Sequence, residues 1–149
     1  MNGYDERQLQ IRGQVFKHTV ETFFIVMIID MMYSIMTDGL HLFGAISNGV
    51  IVMIVFMVST IEMIYRNVYI NELKHRNKIA LIMGGCSLFA MVVNGYRAYL
   101  DHIPFMIQGQ IMDVYGMMVI NLCCVIIAVY NFISFYYEQK EMEELESEK

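Results

Sequence analysis

The chain has no tryptophan, a single proline and only three cysteines, and each scarcity narrows what it can be. Cys123 and Cys124 are adjacent and Cys86 stands alone in another apolar block. They have neither the number nor the C-x-x-C spacing of a disulfide framework or a zinc site, and read as small, soft packing residues. With Pro104 as the one proline, long stretches lack the strongest local breaker of helix. Charge is sparse too: ten Lys and Arg against fifteen Asp and Glu, a net charge of −5. No long basic face is left to track a phosphate backbone, which argues against nucleic-acid binding. The patterns G-x-S-x-G, H-E-x-x-H and the P-loop are all missing, so hydrolase, zincin and phosphate-cradling chemistry have no anchor. Neither an enzymatic activity nor a cofactor is expected.

What is abundant is apolar surface. The chain is 57% hydrophobic, against about 45–50% in soluble domains. It is arranged in four separate apolar blocks, each long enough to cross about 30 Å of hydrocarbon. The blocks largely lack the polar face that a soluble helix keeps. The expected fold is therefore all-α: a polytopic membrane protein, a four-transmembrane-helix bundle set in a lipid bilayer. Its helices fall at residues 19–36, 44–65, 79–100 and 108–137. Seventeen mostly polar residues precede the apolar core of the first block and no A-x-A-like site follows it, so that block is expected to remain as a signal anchor.

Residues 1–18 read as a cytoplasmic amphipathic segment, in which 4–18 pattern as a short amphipathic helix. Asp5 can cap its start and Glu6 suits the amino-end dipole. Leu9, Ile11, Val15 and Phe16 supply an apolar side, and Gly13 marks a possible joint with the first block. Thr37-Asp38-Gly39 makes a turn free of Lys and Arg, whereas residues 66–78 form the most basic connection, with Arg66, Lys74, Arg76 and Lys78. Together with Arg7, Arg12 and Lys17 this asymmetry places both termini and the middle loop in the cytoplasm. Residues 138–149 form an acidic cytoplasmic tail that extends the fourth helix.

Charged groups within an apolar helix cost roughly 2.5–3.5 kcal/mol on insertion scales and tend to find partners. Counting about 1.5 Å per residue puts Asp30, Arg97 and Asp113 at one depth in the outer half of the bilayer. Asn48 and Asn94 are candidate neighbours of this intramembrane polar cluster. Glu21 and Glu62 lie near the inner boundary instead, where Lys17, Arg66 or Lys78 can neutralise them by snorkelling. Gly84, Ser87 and Asn94 on the third helix, and Asp113, Gly116, Cys124 and Asn131 on the fourth, make small and polar stripes suited to close helix contact. Fifteen methionines invite a copper reading through Met36, His41, His102 and Met106. They are spread over every helix rather than clustered, so no metal site is expected.

The opening Asp5-Glu6-Arg7-Gln8, then Ile11-Arg12 and four apolar blocks, resembles a group of uncharacterised small bacterial membrane proteins that begin with a similar Asp-Glu-Arg-Gln element. The resemblance implies a bacterial cytoplasmic (inner) membrane and often a neighbouring helix-turn-helix regulator gene; it supplies no activity. The expected function is that of a non-enzymatic accessory or regulatory protein. It would work through a protein partner at its cytoplasmic face, or through a second copy of itself. The alternative is a small transporter or channel subunit using Asp30, Arg97 and Asp113.

Overall fold

A computed structural model describes residues 6–66 and 73–147. Four helices account for most of them: α1 (Glu6–Met36), α2 (Ser47–Tyr65), α3 (Leu73–Leu100) and α4 (Asp113–Ser147). A small hairpin of β1 (Met106–Ile107) and β2 (Gln110–Ile111) separates α3 from α4. The segments Leu9–Met36, Gly44–Tyr65, Lys78–Leu100 and Asp113–Lys140 are each long and apolar enough to cross a membrane.

α1 has 31 residues, about 46 Å at 1.5 Å per residue. The amphipathic segment and the first apolar block are thus one helix, and Gly13 does not interrupt it. No atom lies within 4 Å of where a Gly13 Cβ would stand, so this glycine makes no close contact and costs about 1 kcal/mol against alanine. Of the segment's apolar residues, Val15 is wholly buried, while Leu9 and Phe16 are more than half exposed. Asp5 lies outside the described residues; Glu6 opens the helix.

The helix ends follow from a few residues. Asp38 and Gly39 adopt φ of 56° and 95°, and the Gly39 N–H donates to the Ser34 carbonyl at 2.8 Å, satisfying an orphan carbonyl of the last turn of α1. α3 stops in the same way. His102 has φ of 48°, the Ile103 N–H donates to the Ala98 carbonyl at 3.0 Å, and Pro104 blocks further helix. The fourth helix, expected from residue 108, starts instead at Asp113. Gln108 and Gly109 both take positive φ, 49° and 86°, the backbone a two-residue hairpin turn requires. The run 105–111 is apolar enough to pass for helix, and Gln-Gly is a weaker turn signal than Asn-Gly.

α2 is the most enclosed helix, burying Ser47, Val50, Ile51, Val55, Thr60 and Ile64. It packs against α1 on one side and α4 on the other, and α4 packs along α3. The lateral order is therefore α1–α2–α4–α3. Small residues set the closest approaches: a Cβ on Gly84 would stand 2.6 Å from the Ala128 Cβ, and one on Gly116 2.5 Å from Ile46 Cδ1. Such approaches hold helices together where lipid removes the hydrophobic force between them. The outward faces are apolar; Phe24, Ile28, Met32 and Ile35 of α1 and Leu81, Phe89 and Val92 of α3 are all more than half exposed. Patches so continuous are rare on soluble monomers.

Candidate functional site

Two polar clusters join α1 to the chain that follows it, one near the β-hairpin and one toward the start of α1 and the end of α2. Asp30 anchors the first. The turn after α1 sends residues 41–47 back past it, and its side chain is 12% exposed. His41 donates from Nδ1 to Oδ2 at 2.7 Å, because an ionised carboxylate can only accept. Oδ1 accepts from the Ser47 hydroxyl at 2.8 Å and from the Leu42 N–H at 3.3 Å. Ser47 is the first residue of α2 and is buried, so the Asp30 bond fixes where α2 begins.

The same stretch is held from its far side. The Leu42 carbonyl accepts the Ile111 N–H at 2.8 Å, and the Tyr33 hydroxyl donates to the Gly109 carbonyl. Asp113 Oδ1 lies 3.3 Å from where a Gly44 Cβ would stand, and Gly44 has φ of 55°. Tyr115, one turn into α4, donates its hydroxyl to the Ile103 carbonyl at 2.8 Å.

Asp30 and Asp113 thus flank one segment, residues 41–47, but Arg97 does not bridge them. It pairs with Asp101 at 3.6 Å, one turn along its own helix, and both side chains are more than half exposed. Asn48 is exposed and Asn94 half-buried; among the described residues neither side chain makes a hydrogen bond. The depth count brings Asp30 and Arg97 to one level but says nothing of lateral neighbours, and α1 and α3 are the two outer helices of the order. Donors only eleven to seventeen residues downstream occupy Asp30 instead.

The second cluster centres on Glu62. Its Oε1 accepts from His18 Nδ1 at 2.7 Å and lies 2.9 Å from an Arg66 nitrogen. Arg66 also donates to Gln14 Oε1 at 3.0 Å, and the hydroxyls of Thr19 and Ser59 bond to each other. Gln14, His18 and Thr19 of α1, with Ser59 and Glu62 of α2 and Arg66 just past its end, form a polar seam there. Glu21 is not part of it. That carboxylate lies 3.7 Å from Lys17 on the outer side of α1, with both groups more than half exposed.

Sequence reasoning weighed His41 only as a copper ligand and did not single out His18, Ser47 or Gln14 as partners of the acids. His41 had a usable signal: it follows Asp30 across a tight turn, so the two must lie near each other whatever the bundle does. Arg7 and Gln8 fall within the first turn of α1. Comparison with family models, with curated proteins and with solved structures finds no match for the chain. The geometry therefore carries the reading alone. Both clusters present carboxylate acceptors filled by donors from a neighbouring element, which is the chemistry of a joint.

The seam makes a measurable distinction between the two glutamates. Glu62→Ala leaves His18 and Arg66 without their shared acceptor and is expected to cost about 2 kcal/mol. Glu21→Ala removes an exposed pair and should change stability by no more than about 0.5 kcal/mol. Thermal unfolding of the two variants in detergent checks this; equal losses would show that Glu62 does not join α1 to α2.

Proposed function

We propose that this chain is a multi-pass protein of the bacterial cytoplasmic membrane, with both termini in the cytoplasm, that acts without catalysis as an accessory or regulatory subunit. The four membrane-length helices support the first part. Arg7, Arg12 and Lys17 in the first half of α1, Arg66 after α2, and Lys74, Arg76 and Lys78 in the first turns of α3 support the orientation. The likeness of its opening Asp5-Glu6-Arg7-Gln8 to small bacterial membrane proteins supports the bacterial cytoplasmic membrane.

The observation that carries the role is the length of α4. It runs 35 residues, from Asp113 to Ser147, about 52 Å, well past the roughly 30 Å of a hydrocarbon core. Its membrane-length part ends at Lys140. Beyond that the helix continues to Ser147 through a stretch whose sequence includes Glu141, Glu143, Glu144 and Glu146. An acidic helical extension of this kind suits a basic surface on a partner protein.

The test is cross-linking in intact cells, followed by purification, with the full chain and with residues 138–149 deleted. A specific cross-linked partner should be captured by the full chain and lost on deletion. A partner profile that is unchanged by the deletion would overturn the reading. The transporter alternative needs Asp30, Arg97 and Asp113 to share one wet site, and no observation favours it over the joint described above.

A further inference from the structure

The outward side of the α3–α4 pair is not flat. Leu81, Gly85 and Leu88 of α3 and Val125, Val129 and Phe132 of α4 line a groove of about 280 Å³ with no hydrogen-bonding side chain. The groove exists because Gly84 and Ala128 let the helices meet beneath it, while nothing lies within 4 Å of a Cβ placed on Gly85. One wall is therefore tightly packed and the slot above it is open.

A cation stands one turn beyond one mouth. Lys78 precedes Leu81 by three residues, and the spacing 78, 81, 85, 88 keeps all four on one face of α3. Lys78 is exposed, and among the described residues its ammonium has no ion-pair partner. Lys74 and Arg76 fall in the same first turns of the helix. Across the mouth, the register set by Gly84 opposite Ala128 brings Ser134 level with Lys78. The Ser134 hydroxyl donates to Glu138 at 3.1 Å, one turn farther along α4. Glu138 is thus the acid nearest this mouth on α4, and Tyr136 is exposed close by.

An apolar slot about two turns long, with a cation one turn beyond its mouth, complements a hydrocarbon chain joined to an anion. We propose that the groove seats one acyl chain of an anionic phospholipid whose phosphate is met by Lys78. A lysine at a membrane surface favours an anionic over a zwitterionic lipid by about fivefold, so the headgroup supplies selectivity and the slot supplies position. The proposal rests on the membrane setting, not on the regulatory role, and the failure of one leaves the other standing.

The test is native mass spectrometry of the full chain in non-ionic detergent, with phosphatidylglycerol and phosphatidylcholine of identical acyl chains. The wild-type protein should retain phosphatidylglycerol about fivefold better. Lys78→Gln should bring that ratio close to one without lowering phosphatidylcholine retention. Gly85→Leu fills the slot without touching the Gly84–Ala128 contact, and should lower retention of both lipids. Equal retention by the wild-type protein, or an unchanged ratio in the Lys78 variant, would overturn the proposal. So would a dimer that is lost in Gly85→Leu, which would assign the groove to a second copy of the chain. Should Gly85→Leu not fold, the exposed Lys78 variant still decides the matter.

Discussion

Replacing Asp30 with alanine should lower the thermal midpoint in detergent by roughly 10 °C. The substitution removes the acceptor for His41, for the Leu42 N–H and for the Ser47 hydroxyl at once. Ser47 is 3% exposed, so its hydroxyl is left dry and unpaired, and stranded donors of this kind cost about 1–3 kcal/mol each. His41 is half exposed and can turn to water, so the total is about 3 kcal/mol rather than a simple sum. Asp30→Asn is the informative companion. Leu42 and Ser47 both use Oδ1, which an asparagine oxygen can replace, and only the His41 contact at Oδ2 changes character. The asparagine variant should therefore lose about 1 kcal/mol. If an ion or proton passed through Asp30, asparagine would abolish flux while leaving stability intact, which is the opposite pattern.

The second large effect is expected at Gly84. Alanine there gains about 1 kcal/mol of helix propensity, yet its Cβ would stand 2.6 Å from the Cβ of Ala128. An alanine Cβ cannot swing aside, so α3 and α4 must separate until the carbons reach about 3.5–4.0 Å. That loosens the pair along its length, and overpacking of this kind costs about 1–3 kcal/mol. Gly84→Leu should exceed that range or fail to assemble. The decisive variant is the exchange of sizes: Gly84→Ala combined with Ala128→Gly should recover most of the loss. Because the chain has no tryptophan, unfolding is best followed by circular dichroism or by size-exclusion after heating. A double variant no better than Gly84→Ala alone would show that the two residues do not set the spacing.

The helices themselves were legible in the sequence because hydrocarbon thickness dictates their length and because Thr37-Asp38-Gly39 and Pro104 punctuate them plainly. Gly84 could be read as an interface residue from the small-residue stripe of its helix. Its partner could not, since Ala128 is absent from the stripe read on α4, and Gly116 of that stripe packs on Ile46 rather than on α3. A stripe says that something approaches closely but not which helix. Asp30 marks the same limit. Depth along a helix can be counted in residues, so Asp30, Arg97 and Asp113 could be placed at one level. Lateral order depends on how four cylinders choose neighbours, and nothing local in the chain encodes that. His41 and Ser47 were within reach, because a tight turn makes its flanks neighbours regardless of the rest. The hairpin at 106–111 was hidden by its own apolar composition.

The lateral order α1–α2–α4–α3 has a consequence for how the molecule is made. Of the four helices, the one synthesised after the other three sits between them, with α2 on one side and α3 on the other. Until α4 is synthesised, the α1–α2 pair can close on its own polar contacts, but α3 has no broad surface to rest on. Emergence of residues 113–137 is then the event that turns two unattached pieces into one body. A nascent chain stalled before Asp113 would expose the Gly84 face of α3 to the membrane, a mark by which an incomplete copy is distinguishable from a finished one.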